Sequence, residues 1–324
     1  MNAAPSPAMS AAPAPIAIAG WSIHVPGSKL AALLDAPPGD SSCDPEHADE
    51  LLGKRGLINK EPATRLALCA VHRALNRPAR APREQGPANP RTAVVASSNL
   101  GNVATVHTIV GTLRSTGLKD VSALDVANAS SNVLASSVAI WFRFGGPNLM
   151  VCSGATAGLD AVYLAVNLLR AGRADRVIVV GAEPGDPVAV SLHARRAAAP
   201  AAELLPGAAA IVLERAETAR EARPVIESIH NGAWPAHNGD LADVSTVIGP
   251  STLAARAPRT IDIVRDAGDP YGALGVIQLA LAAELLRRSS FDARARVVVA
   301  CGDETDGWRS TVVRGAISRT SRQA

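Results

Sequence analysis

Apolar residues recur at helical spacing over residues 61–75, 130–142 and 275–288 and again beyond residue 155, and short apolar runs such as 148–151 lie between them. The run Leu66-Ala-Leu-Cys-Ala-Val71 carries the first of these helices. Such alternation predicts an α/β protein with a mostly parallel sheet covered by helices on both faces. With 324 residues and 48% apolar content, the chain can bury a large core, so one layered domain of two related halves is expected rather than a string of small modules. No uninterrupted apolar stretch reaches about eighteen residues, and no membrane span is indicated.

Composition and charge mainly exclude. A net charge of +3 is ordinary at this length, and the Arg-rich segments 73–91 and 287–296 are broken by Pro, Ala and acidic residues. The chain holds only 4 Trp, 3 Phe and 2 Tyr, too few for the stacking platforms that nucleic-acid binding uses. Cysteines at 43, 69, 152 and 301 have no paired, CxxC or zinc-type spacing, so neither metal nor cofactor is expected, and a reduced, cytoplasmic protein is. Residues 1–15, rich in Ala and Pro, lack the basic start and apolar centre of a secretory signal and are read as a disordered leader. The motifs GxGxxG, HExxH, GxSxG and the Walker loop are absent.

The chemistry concentrates in residues 151–165, Val-Cys-Ser-Gly-Ala-Thr-Ala-Gly-Leu-Asp-Ala-Val-Tyr-Leu-Ala. An apolar strand runs through small residues into a helix whose first N–H groups are unpaired and electropositive, a setting that suits a thiolate or an oxyanion. This turn resembles the active-site elbow of the β-ketoacyl synthases, the condensing enzymes of fatty-acid and polyketide synthesis. Gly158-Leu159-Asp160-Ala161-Val162 and Leu164-Ala165 coincide with the family pattern, and the nucleophilic Cys falls on Ala155. Cys152 matches an upstream Asp of the pattern and is read as a small buried hydrophobe. Further similarity runs through Ile16 to Gly27, Arg91 to Ser98, the helix ending at Gly145-Gly146-Pro147, the strand ending at Gly181-Ala182-Glu183, and Pro206 to Glu214, covering residues 16–216.

In the C-terminal part, Gly268-Asp269-Pro270-Tyr271-Gly272-Ala273 resembles the family's Gly-His-Thr-x-Gly-Ala motif. It puts Asp269 on one of the two family histidines, with Arg265 within a residue of the motif's Lys. The only stretch able to match the second histidine, Ser245 to Thr252, puts Ile248 there. Cys301 to Ser310 stands where a Phe-Gly-Gly loop lines the family site. Losing the nucleophile removes the covalent route, and each lost charge-stabilising donor costs about two to three orders of magnitude. No catalytic residue is therefore assigned, and no condensing activity of the chain alone is expected.

The resemblance implies a thiolase-like α/β/α/β/α layered fold of two pseudo-equivalent halves. Its expected divisions are a leader at 1–15, an N-terminal half at 16–216, a shortened C-terminal half at 217–318 and a tail at 319–324. It also implies a subunit akin to a chain-length factor, a silent homologue that heterodimerises with an active ketosynthase and shapes its acyl tunnel in fatty-acid or type II polyketide biosynthesis. The interface is expected near residues 94–144, with Trp141, Phe142 and Phe144 as anchors. An acidic acyl carrier protein is expected to dock by charge, through the partner or through Lys54, Arg55, Arg65, Arg73, Arg195 and Arg196. An alternative is an acyltransferase or thioester hydrolase using a displaced nucleophile, Thr156, Ser153 or Cys152, with His24, His230 or His237 as base. His72, His107 and His193 are read as packing or surface residues, and Asp269 is expected to need a partner, Arg265 being nearest in sequence, or a tunnel collapsed around Tyr271.

Overall fold

The computed structural model describes residues 15–27, 30, 42–196, 202–218, 223–232, 244–252, 257–288 and 295–315. The expected leader lies outside the described residues except Pro15, whose carbonyl accepts from Ala216 N–H at 2.8 Å, and so does the expected tail.

Ten strands form one sheet: β1 (Ile16–His24), β2 (Thr92–Ser97), β3 (Asn148–Val151), β4 (Arg176–Glu183), β5 (Gly207–Arg215), β6 (Val225–Asn231), β7 (Val244–Ile248), β8 (Arg259–Ile261), β9 (Arg296–Asp303) and β10 (Gly307–Arg314). Their spatial order is β3-β2-β4-β5-β1-β6-β10-β9-β7-β8. The first five strands in sequence take the order 3-2-4-5-1, and the next five repeat it as 8-7-9-10-6. Pairing repeats as well: β2 is parallel to β3 and β4 as β7 is to β8 and β9, while β5 is antiparallel to β4 and β1 as β10 is to β9 and β6. The two halves join where β1 meets β6 at Ile16↔Ile226 and Ala17↔Val225. The sheet is therefore mixed rather than mostly parallel, because in each half the fifth strand in sequence runs antiparallel to both of its neighbours.

The helices are α1 (Ala48–Leu52), α2 (Pro62–Ala74), α3 (Val103–Ser115), α4 (Ala123–Asn128), α5 (Val133–Phe142), α6 (Ala157–Arg170), α7 (Pro187–Ala194), α8 (Ile263–Asp266) and α9 (Leu274–Arg288). α2 and α5 cover one face of the first half-sheet around Leu66, Leu68, Val71, Leu134 and Val138. α6 and α9 form the layer between the half-sheets, packed with Ile18, Val179, Ile211, Val297 and Val299 in a core that spans both halves. Strands buried on both faces read as continuous apolar runs, as in Val177 to Ala182. On the second half-sheet, the helices that pack among the described residues are this same central pair, so four of the five expected layers are in view. The C-terminal half is shortened in its connections: residues 25–91 separate β1 from β2 but only 232–243 separate β6 from β7, and 98–147 separate β2 from β3 where 249–258 separate β7 from β8.

The central helices start against each other. A Cβ on Gly158 would lie 2.7 Å from Gly275 N, and one on Gly275 would lie 2.6 Å from Leu159 N. Only residues without a Cβ allow this approach, and it brings the turns preceding both helices into one place. No helix among the described residues is long and apolar enough to cross a membrane.

Candidate functional site

β3 delivers the chain through Cys152 and Ser153 into a 3-10 turn, Gly154–Thr156, that runs into α6. Gly154 has φ +71°, a conformation that favours glycine. Asn99 clamps it from both sides, its Oδ1 accepting from Gly154 N–H at 3.0 Å and its Nδ2 donating to Gly154 O at 2.9 Å. Ala155 is buried. Its N–H, the first free donor of the elbow, donates to Asp306 Oδ2 at 2.8 Å. Asp306 belongs to the turn joining β9 and β10, where Asp303 Oδ1 accepts from Thr305 N–H at 2.9 Å and Asp306 N–H at 2.7 Å and so folds the turn toward the elbow.

Opposite, at the approach to α9, Asp269 Oδ1 accepts from Tyr271 N–H at 2.8 Å. Its Oδ2 lies 2.8 Å from His193 Nε2 and 3.3 Å from Arg196 Nη1. The guanidinium of Arg196 also pairs with Asp303, reaches Asp306 Oδ2 at 3.3 Å and stacks 3.7 Å above the Tyr271 ring. Three carboxylates thus converge on one guanidinium and one imidazole, which offsets the cost of burying them.

Glu183, at the end of β4, is fully buried. It accepts from Asn99 N–H at 2.7 Å, Leu100 N–H at 3.0 Å, Ser98 Oγ at 3.0 Å and Gly272 N–H at 3.1 Å. Burial pushes its carboxyl up to about 7 against these four donors. The side chain ties the loop after β2 to the turn before α9, across the two halves.

Chemically, the arrangement is closed. A backbone donor that would stabilise a developing oxyanion must be free to meet it; here that donor already serves a fixed carboxylate, which would also repel a second anion. The hydroxyls of Ser153 and Thr156 both donate to Asp160 Oδ2, Thr156 at 2.7 Å, and Asp160 is ion-paired with Arg309. Among the described residues, neither hydroxyl hydrogen-bonds to a histidine. His24 contacts Cys43, His230 bonds Ser228, and His237 lies outside the described residues.

Several expectations need correction. Cys152 is exposed rather than buried, because it leaves the edge strand before the helix begins; what burial it has, with Glu183 nearby, raises its thiol. Arg265 pairs with Asp266 at 2.7 Å, and the partners of Asp269 are His193 and Arg196. His193 is buried in the site instead of serving as packing or surface. Arg196 is turned inward by its carboxylates. Arg65 spends its guanidinium on the carbonyls of Lys60, Pro45 and Leu57, so of the named basic residues Lys54, Arg55 and Arg195 remain exposed. Ile248 ends β7 inside the central core and can exchange no proton. Trp141 and Phe142 are buried in the chain's own core, with Phe144 stacked on Phe142 at 5.7 Å.

In the same stretch of chain other apolar residues are exposed: Val106, Val110, Leu113, Leu118, Leu124, Val126, Ile140 and Leu149. They lie on α3, α4, α5, the turn between α3 and α4, and the edge strand β3. The roles of Asn99, Arg196 and Asp306 were not legible in sequence, although the acidic run Asp303-Glu304-Thr305-Asp306 in place of a glycine loop was a usable signal. Away from the site, the fold gathers His24, Cys43 and Cys69, whose ligating atoms lie within 4.8 Å of one another. Their distant positions in sequence concealed this grouping.

Comparison with known proteins agrees with the geometry. The model of the β-ketoacyl synthase N-terminal domain matches residues 41–203, half of the chain. No curated protein matches the sequence. Among solved structures, the ishigamide ketosynthase/chain length factor superposes with a TM-score of 0.75 at 21% identity, covering 94% of this chain and 100% of that one. A type II polyketide synthase ketosynthase, solved with its acyl-carrier protein and bound to the hexaketide, gives 0.71 at 13% identity over 94% and 100%. A β-ketoacyl synthase from Burkholderia phymatum STM815 gives 0.67 at 13% over the same shares.

Proposed function

Because the chain belongs to the β-ketoacyl synthase family, we propose that it is a catalytically silent member akin to a chain-length factor, which pairs with an active ketosynthase and shapes the tunnel that receives the growing acyl chain. The observation that carries this reading is the state of the elbow. The position matching the family's nucleophile holds a methyl group, Ala155, and the backbone donor beside it is engaged by Asp306 at 2.8 Å. A site that supplies its own anion to its own donor has no place for a thioester oxyanion.

Pairing draws support from the exposed apolar residues on α3, α4, α5 and β3. Exposed apolar residues in such number are common at interaction sites, and an edge strand offers unpaired backbone groups to a neighbour. The neighbouring structures, a ketosynthase/chain length factor and a ketosynthase with its acyl-carrier protein, make a ketosynthase the natural partner. In this reading the acyl carrier protein reaches the pair through the active subunit, in fatty-acid or type II polyketide synthesis. Against the hydrolase alternative, Ser153 and Thr156 both donate to Asp160, and among the described residues no histidine bonds either hydroxyl to activate it.

The test is to coexpress a tagged chain with each ketosynthase encoded beside its gene and to assay malonyl condensation. A one-to-one complex that elongates only with both subunits present supports the proposal. A lone chain that turns over an acyl thioester, with no synthase copurifying, overturns it.

A further inference from the structure

Far from the elbow in sequence, three elements bring soft ligand atoms together. His24 ends β1, Cys43 lies in the segment leading to α1, and Cys69 sits in the middle of α2. His24 and Cys69 are buried and Cys43 is half-buried. The ligating atoms of all three lie within 4.8 Å of one another, with Cys43 Sγ 3.7 Å from His24 Nε2 and the two thiols in hydrogen-bond reach.

We propose that His24, Cys43 and Cys69 form a Cys2His site for a soft or borderline divalent cation of the Zn2+ class. The spacing is that of a coordination shell. A thiolate at about 2.3 Å and an imidazole nitrogen at about 2.1 Å from a tetrahedral ion stand about 3.6 Å apart, against the 3.7 Å present. Two sulfurs and one nitrogen exclude Mg2+ and Ca2+, which take oxygen ligands. The imidazole adds an independent observation. His24 has no exposed surface; among the described residues its Nδ1 has no hydrogen-bond partner, and its Nε2 meets the Cys43 carbonyl at 3.0 Å and the Cys43 thiol at 3.7 Å. Coordination through Nε2 would replace its contacts with the Cys43 carbonyl and thiol by a metal bond, with the ring proton on Nδ1. Three protein ligands leave a fourth position for water or a small anion. The ion would clip the Cys43 segment to β1 and α2, on the outer side of the first half-sheet.

The experiment uses the full-length chain, stripped with chelator and kept reduced, then titrated with Zn2+ against a chromophoric competitor. Co2+ serves as the spectroscopic probe. One tight equivalent of Zn2+ is expected, with a thiolate-to-cobalt charge-transfer band for Co2+. Cys69→Ser and His24→Ala should lose both signals, and Cys152→Ser, whose exposed thiol is outside the cluster, should keep them. Cys43→Ser, in a half-buried segment outside any helix, provides the variant least able to disturb folding, and it should also lose the equivalent. Overturning results are the absence of a tight equivalent, its persistence in the Cys43→Ser/Cys69→Ser double variant, or the ready closure of a Cys43–Cys69 disulfide in the presence of saturating Zn2+.

Discussion

At the scale of single residues, Glu183 shows how an ionisable group can serve as a structural tie. It is fully buried, and its two oxygens hold the loop after β2 and the turn before α9 through four donors. Burial outweighs those donors and lifts the carboxyl from 4.5 to about 7. A raised folded-state value means that the native protein binds a proton that the unfolded chain gives up. The stability this adds is complete below the unfolded value and is lost as pH rises through the folded one. Between about pH 4.5 and 7 the wild type should therefore lose at most about 1.4 kcal/mol per pH unit through this group. Urea denaturation at several pH values will measure that slope, and Glu183→Gln should flatten it. A slope unchanged in the variant would mean that other groups carry it. Sequence reading placed Glu183 at a strand end by resemblance, but its burial and partners come from chain segments about ninety residues apart.

At the scale of elements, the segment of residues 94–144 carries an apolar surface, but the residues expected to supply it do not. Trp141 and Phe142 turn inward from α5 onto α2 and β2, while Ile140 on the same helix is 75% exposed. The 100° step between successive helical residues separates these neighbours into core and surface. Composition alone cannot make that distinction. Ile140→Lys should leave the free chain's stability within about 0.5 kcal/mol, as exposed substitutions do. If this face binds the partner, the buried charge should weaken the complex by at least about tenfold. Sedimentation of the mixed subunits reads the second effect and thermal unfolding of the free chain the first; an unaltered complex would move the interface elsewhere. The major elements were well marked in sequence: α2, observed as Pro62–Ala74, falls within the expected 61–75, and β2, Thr92–Ser97, within 91–98. α3 and α4 were not foreseen, since their apolar residues face outward and leave no core-facing stripe to read.

At the scale of the whole molecule, the repeated strand order and the central helix pair make the two halves one cooperative body. The core cluster runs from Ile18 and Val179 through α6 and α9 to Val297 and Val313 without interruption. Gly158 and Gly275 set the distance at its centre. Gly158→Ala would drive a methyl group into the backbone at Gly275 and Val276, and overpacking of this kind costs about 1–3 kcal/mol. The loss should appear in a single urea transition, followed alike by circular dichroism and by the fluorescence of the four tryptophans, Trp21 and Trp141 in the first half of the sequence and Trp234 and Trp308 in the second. Two separated transitions would instead mean that the halves fold independently. The sequence by itself determined the layered α/β architecture, the elbow turn and the absence of a thiol at its tip, because strand and helix periods and the identity of residue 155 are local properties. Only the tertiary structure decided which groups meet at and around the elbow: Arg196 gathering Asp269, Asp303 and Asp306, with Asp306 on the elbow's own amide, and, elsewhere, His24 meeting Cys43 and Cys69. These groups are far apart along the chain, and a charge or thiol acquires its role from the partners that folding sets within a few ångströms of it.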